Sequence, residues 1–199
     1  MARLREIRAD ETRTALVRAA RSLFSEHGFA GTSTESIVAA AGVTRGALYH
    51  HFRDKRDVFR AVFEQIEGEF VDASAALWSP DADPWTNLRA GCAAFLDSCV
   101  EPDVQRIVLL DGPSVLGWDT WREIEEQYAL ASIGAALKLA MRAGIIPRRP
   151  VMPLAHLVLA AINEAGLLIA QADDPTAARR DVGGAFDALL DGLRKGAPR

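Results

Sequence analysis

Residues 42–55 carry the sequence GVTRGALYHHFRDK, and the arrangement predicted for the N-terminal third of the chain follows from this stretch. Gly42 comes after a short apolar segment, residues 34–41, that has the pattern of a helix. The hydroxyl of Thr44 is placed to cap a second short helix over residues 44–51. Two short helices joined by a glycine-containing turn, with a longer helix after them, form the layout of a helix-turn-helix, whose second helix enters the major groove of DNA.

The residue types of the second short helix suit a surface that is presented to DNA. Leu48 is apolar and is predicted to pack against the preceding helix. Arg45 carries a fork of donors that matches the edge of a guanine, and Tyr49 and His50 suit phosphates or the methyl group of thymine. Lys55 lies in the first turn of the following helix, where a cation and backbone N–H groups converge on a phosphate.

The same residues resemble the signature of the TetR family of bacterial repressors. GVTRGALYHHFRDK and the preceding AGTSTESI of residues 30–37 are similar to that signature, and the similarity extends over about residues 12–62. The resemblance implies a fold of about nine helices and a homodimer formed by the last two of them. It also implies binding to a palindromic operator in double-stranded DNA, and release by an unknown small-molecule effector held in the C-terminal domain.

The DNA-contacting positions that the resemblance implies are Thr32, Thr34, Thr44, Arg45, Tyr49, His50 and Lys55. Glu35 is left out of this set because a carboxylate near phosphate is unfavourable.

Apolar residues recur at spacings of three and four along almost the whole chain, which predicts an all-α protein. We expect an N-terminal three-helix helix-turn-helix domain over residues 10–55. We expect a C-terminal helical ligand-binding and dimerisation domain over residues 56–199. The segment SPDADP at residues 79–84 has the composition of a linker between helices.

Charge is distributed unevenly along the chain. The formal net charge is −4, but residues 1–60 contain 11 Lys and Arg against 7 Asp and Glu. A basic head on an acidic body indicates a polyanionic partner for the head alone.

The sequence offers no pattern typical of an enzyme. The four histidines are scattered, and neither zinc-ligand spacing, nor a glycine-rich phosphate loop, nor a Ser/His/Asp set emerges, so we predict no catalytic residues, no metal and no cofactor. Cys92 and Cys99 are seven residues apart on one helix, about 10 Å, which is too far for a disulfide. We expect two core residues, with a redox sensor as the alternative.

One apolar segment, residues 151–172, is long enough to raise the question of a membrane. It carries His156, Asn163 and Glu164 in its middle, which is costly in lipid, so we interpret it as a buried helix. Residues 1–10 are charged and lack the apolar core of a signal peptide. We therefore expect a cytoplasmic protein with no membrane partner.

The C-terminal domain contains candidates for an effector pocket. Four residues, Trp118, Trp121, Glu125 and Tyr128, have helical spacing on one face and predict either the wall of a pocket or part of the core. The full set of predicted ligand-binding residues is Phe95, Leu110, Trp118, Trp121, Tyr128 and Asn163. The segment DGPSVLGW at residues 111–118 resembles one that recurs in some C-terminal domains of this family, without an assigned role.

The last two predicted helices carry apolar stripes that indicate a dimer surface. The predicted interface residues are Leu157, Ala161, Val182, Phe186, Leu189 and Leu193. Asn163 either faces the pocket, which we prefer, or sets the register of the dimer as a buried polar group.

A helical carrier of small molecules without operator function is the alternative to a regulator. The two differ in salt-dependent binding to duplex DNA, which a regulator shows and a carrier lacks.

Overall fold

The computed structural model describes residues 2–194, with side chains from residue 7 onward, and every regular element in that range is a helix. The first five are α1 (Ala2–Gly31), α2 (Thr34–Ala41), α3 (Arg45–His51), α4 (Lys55–Leu77) and α5 (Pro84–Ser98). The others are a π-helical segment (Val104–Asp111), α6 (Gly112–Leu116), α7 (Trp118–Glu125), a second π-helical segment (Glu126–Leu130), α8 (Ala131–Arg142), α9 (Val151–Ala170) and α10 (Pro175–Asp191). The predicted all-α fold is confirmed, whereas residues 195–199 of the predicted C-terminal domain lie outside the described part.

The helix ends follow the capping chemistry of the sequence. Ser33 caps α2 by accepting from the backbone N–H of Ser36, and the Ser36 hydroxyl in turn accepts from the Ser33 N–H. Asp174 caps α10 by accepting from the Ala177 N–H.

The chain forms two compact units that interleave along the sequence. The first comprises the described residues up to Ile66 together with Pro102–Asp119, and the second comprises Glu67–Glu101 together with the described residues from Thr120 onward. The head therefore includes the first half of α4 and a segment from much later in the chain, which the predicted range of residues 10–55 does not contain.

An aromatic cluster forms the centre of the first unit. The rings of Phe24 and Phe59 meet edge to face at 5.1 Å, and Phe29 meets Phe59 in the same way at 5.4 Å. Gly28 adopts a φ of 69°, a left-handed conformation that turns the backbone between Phe24 and Phe29. Each such ring pair contributes about 0.5–1.5 kcal/mol beyond its burial.

The segment Pro102–Asp119 is fastened to α1 by charged side chains. Arg21 forms an ion pair with Asp103 at 2.7 Å. The backbone N–H of Phe29 donates to Asp111 Oδ2 at 2.8 Å, close to where α1 bends. Gly112 allows a close approach, because a Cβ there would lie 2.8 Å from a ring carbon of Phe63.

The second unit is a helical bundle in which α9 packs against α8 and α10, and α5 packs against α8, α9 and α10. Cys92 and Cys99 are free thiols in its interior, which confirms that they are core residues without a disulfide. Among the described helices, α9 alone meets the length and composition of a membrane span. Only 39% of its most apolar stretch is buried, so α9 is partly buried rather than the fully buried helix that the sequence predicted.

Candidate functional site

The turn between α2 and α3 has the geometry that the sequence predicted. Gly42 has φ 67° and ψ 28°, and its N–H donates to the Ala39 carbonyl. Thr44 Oγ1 caps α3 by accepting from the Ala47 N–H at 3.2 Å. Leu48 is fully buried, which fixes the angle at which α3 leaves the domain. These contacts confirm a helix-turn-helix.

The outward face of α3 carries three of the residues predicted to contact DNA. Arg45, Tyr49 and His50 are all exposed. The guanidinium carbon of Arg45 lies 5.6 Å from the centroid of the Tyr49 ring, a cation–π distance. Tyr49 therefore limits where the Arg45 side chain can point before DNA arrives.

Glu35, which the sequence interpretation set aside, links α2 to α3. Its Oε1 lies 3.3 Å from Arg45 Nη1, and its Oε2 accepts from the Thr34 hydroxyl at 3.1 Å. Its own main-chain N–H, the Thr34 hydroxyl and the charge of Arg45 hold the pKa of Glu35 below its ordinary value. Glu35 thus joins two predicted contact residues in one exposed network.

Thr32, a predicted DNA-contacting position, does not present its side chain to solvent. Thr32 is only 3% exposed, and its hydroxyl donates to the carbonyls of Gly28 and Leu23. The hydroxyl of Thr32 is therefore used to join the end of α1 to the start of α2, and it is the neighbouring Ser33 that faces solvent.

Lys55 has a structural task in addition to its predicted one. Its Nζ donates to the carbonyls of Phe29 and Thr32, both at 2.7 Å, and lies 4.1 Å from the centroid of the Phe29 ring. An ammonium group has three donors, so one remains for a phosphate. Lys55 therefore caps the C-terminal end of α1, where backbone carbonyls lack hydrogen-bond partners within the helix.

Replacing Lys55 with methionine is expected to lower the free energy of unfolding by about 1–3 kcal/mol, because two part-buried carbonyls lose their charged donor. Chemical denaturation followed by circular dichroism measures the change. The matched control is Arg56→Met, which removes an exposed cation from the next position. Equal stabilities of the two variants would contradict the structural role of Lys55.

The predicted ligand-binding residues divide between the two units. Phe95, Trp121, Tyr128 and Asn163 are partly buried side chains of the second unit. Phe95 meets Phe70 of α4 edge to face at 5.2 Å. Leu110 and Trp118 belong to the first unit, and Trp118 is 62% exposed. We correct the prediction for Leu110 and Trp118, because side chains as exposed as these do not form the wall of a pocket.

Asn163 contacts Glu125, which lies at helical spacing from Trp121 and Tyr128. Its Nδ2 donates to Oε1 of Glu125, which is buried. Burial raises the pKa of Glu125 to about 7, although Asn163 and Arg122 oppose the shift. Glu67 of α4 is also buried, and burial together with the charge of Glu125 raises its pKa to about 8. Two carboxyl groups thus share the interior of the second unit.

These raised pKa values predict how stability depends on pH. A Glu in the unfolded chain has a pKa of about 4.3, so at intermediate pH the folded state holds more protons than the unfolded state. The contribution of each protonated carboxyl group to the stability of the fold is complete below about pH 4. It is lost as pH rises through about 7 for Glu125 and about 8 for Glu67. We expect the melting temperature to fall between pH 5 and pH 8, and to fall less in Glu67→Gln.

The measurement is thermal unfolding of both proteins across this range. The difference between them isolates Glu67 from other titrating groups, such as His51, whose pKa is lowered by burial. Parallel melting profiles of the wild type and the variant would refute the burial of a titrating carboxyl at this position.

The predicted dimer residues also need one correction. Phe186 is 5% exposed and packs in the core of its own unit, so its ring is not available to a partner. Leu157 of α9 is 68% exposed and Leu189 of α10 is 56% exposed. Ala161, Val182 and Leu193 are partly exposed. Leu168 of α9 adds a further exposed leucine that the predicted set lacked.

Within residues 7–194 no group of three or more His, Cys, Asp or Glu side chains is arranged to hold a metal ion.

A helix-turn-helix with an exposed Arg-Tyr-His face, followed by a larger helical bundle, defines a class of DNA-binding regulators. Residues 16–62 match the family described as "Bacterial regulatory proteins, tetR family", and residues 85–193 match "Tetracyclin repressor-like, C-terminal domain". The chain belongs to the TetR family of transcriptional regulators, as the resemblance of residues 12–62 implied.

Individual relatives agree with this membership. A TetR-family regulator from Pectobacterium atrosepticum is 36% identical, with a TM-score of 0.82 over 97% of this chain and 98% of its own. The regulator AcrR of Shigella flexneri is 36% identical over 110 residues, 55% of this chain and 51% of AcrR. The chain therefore spans about half the length of the curated relatives it matches. SmeT, solved in complex with triclosan, is 25% identical, with a TM-score of 0.70 over 94% of this chain and 93% of its own.

Proposed function

We propose that the protein is a repressor that binds a palindromic operator as a homodimer and is released by a small molecule. The observation that carries this proposal is the outward face of α3. Arg45, Tyr49 and His50 are exposed there, on a helix whose angle is held by buried Leu48. An exposed arginine held beside an aromatic ring suits the readout of a guanine.

Dimerisation is supported by the exposed leucines of α9 and α10. Leu157, Leu168 and Leu189 leave apolar side chains in solvent on two helices of one unit. Two such helices from each protomer form a four-helix interface about a twofold axis. The two heads of the dimer then need a separation of about 34–36 Å to enter successive major grooves.

Release by a ligand follows from a shift between populations of the dimer. An effector that prefers a different arrangement of the heads lowers DNA affinity by its differential affinity for the two states. Two helices, α4 and α7, begin in the first unit and continue in the second, so each provides a covalent path for this coupling. The likeness to SmeT, which holds triclosan, supports a small-molecule effector. We place the protein in the cytoplasm, where its operator lies, and assign it no enzymatic activity.

The test is selection of genomic fragments by the purified protein, followed by affinity measurements at several salt concentrations. A repressor selects a palindromic sequence, and its affinity falls steeply with salt as counterions are released. A protein that binds apolar small molecules but no duplex DNA at low ionic strength is a carrier, and that result would overturn the proposal.

A further inference from the structure

The interior of the second unit contains two buried carboxyl groups. Glu67 and Glu125 are each 7% exposed. Within the described part of the chain neither forms an ion pair, and Glu67 has no hydrogen-bond partner either. Arg122, on the same helix as Glu125, pairs with Glu126 at 3.8 Å. Burying a carboxyl group in this way is costly unless a partner satisfies it.

Four helices bring polar and aromatic groups to this place. Glu67 lies on α4, Glu125 at the end of α7, and Asn163 on α9, with its amide on Glu125. Phe70 lies one turn after Glu67 and meets Phe95 of α5 edge to face. The cluster therefore combines acceptor oxygens with an apolar, aromatic side.

We propose that Glu67, Glu125 and Asn163 form the binding site for the protonated amine of an effector whose aromatic or apolar body lies against Phe70 and Phe95. This inference rests on the proposed function, because it names the chemical class of the molecule that releases the operator. An ammonium group supplies three donors and a positive charge, which are what the two carboxylates lack. Carboxylate ligands are disfavoured, because they would bring a further negative charge into an interior whose burial already raises the pKa of both carboxyl groups.

Binding of a cation is coupled to the loss of protons. Without a ligand, burial holds the pKa of Glu67 at about 8 and that of Glu125 at about 7. The ammonium group favours the ionised form of both, so a carboxyl proton passes to the buffer as the amine binds. The other titratable or charged groups that act on this pair are Cys99, Arg122 and Glu126. Amine affinity therefore rises between pH 6 and pH 8.

The experiment uses the full chain and three probes with the same aromatic body, which are 4-phenylbutylamine, 4-phenylbutanol and 5-phenylpentanoate. Isothermal titration calorimetry is run at pH 7 in phosphate and in Tris, because the difference in heat between the buffers counts the protons released. We expect the wild type to bind the amine at least tenfold more tightly than the alcohol, to release between one and two protons at pH 7, and not to bind the carboxylate.

Matched variants separate the site from a purely structural role. Glu67→Gln and Glu125→Gln keep the size of the side chain, and each is expected to lower amine affinity about 10- to 100-fold and to reduce proton release. Glu123→Gln removes an exposed carboxylate from the same helix as Glu125 and is expected to leave amine affinity unchanged. Circular dichroism reports whether each variant is folded.

Equal affinity of the wild type for the amine and the alcohol, binding without proton release, or no binding of the amine would each overturn the proposal, whatever the variants do. DNA binding by the wild type is measured separately. Operator binding without amine selectivity overturns this inference alone. Amine selectivity in a protein that ignores duplex DNA supports the cation site and overturns the proposed repressor function.

Discussion

Arg45→Ala is expected to weaken operator binding by about 10- to 100-fold, because a bidentate contact from arginine to guanine contributes about 1–3 kcal/mol of discrimination. The structure adds a second reason. Arg45 shields the carboxylate of Glu35, whose Oε1 lies 3.3 Å from Arg45 Nη1. Without Arg45 that carboxylate faces the phosphates unpaired. Fluorescence anisotropy with labelled DNA measures the loss of affinity, which is expected to be larger for the operator than for random DNA.

Two variants control for charge alone. Arg149→Ala removes an exposed arginine outside the helix-turn-helix and is expected to leave operator affinity unchanged. Glu35→Gln removes the negative charge and is expected to raise affinity for random DNA, while the operator loses part of its advantage because Arg45 is held less firmly. If Arg45→Ala and Arg149→Ala bound the operator equally well, α3 would not be the reading helix.

The helix-turn-helix was predictable because its signals are local. Gly42 must adopt a left-handed conformation wherever it occurs in such a turn, and Thr44 caps the residues next to it. Thr32 shows the limit of this reasoning. A threonine beside a serine looks equally able to cap α2, and only the packing of α1 decides that Thr32 is buried and Ser33 is exposed.

The part of the head contributed by Pro102–Asp119 was not predictable in the same way. Arg21 reaches Asp103, and the Phe29 N–H reaches Asp111, across 82 residues in each case. No local pattern marks such a pair before the fold is known. The segment DGPSVLGW resembles one that recurs in this family, and the structure gives two of its residues a physical task. Asp111 accepts a hydrogen bond from the Phe29 N–H near the end of α1, and Gly112 fits against Phe63.

The candidate effector site illustrates a different limit. Glu67 lies in a long amphipathic helix, where a single glutamate has the pattern of a surface residue. Asn163 was selected because an amide in an apolar run is unusual, and the structure leads from Asn163 to Glu125 and from Glu125 to Glu67. Periodicity identified the apolar residues of α10, but not which side of the helix faces its own unit. Phe186 faces the core of its own unit, whereas Leu189 faces solvent.

Leu189→Asp is expected to separate the proposed homodimer and to lower operator affinity by about 100- to 10,000-fold, because one head on its own loses the gain of bivalent binding. Leu189 is 56% exposed, so the variant keeps the core of its own unit intact. Sedimentation velocity measures the assembly and gel shift measures the affinity. The control is Leu139→Asp on α8, which places the same charge at a leucine that is 45% exposed and lies outside the proposed interface. If the Leu189→Asp protein were folded and still dimeric, α10 would not be part of the interface. If it were a monomer with full operator affinity, one head would be sufficient for binding, and the operator would not be recognised by a dimer.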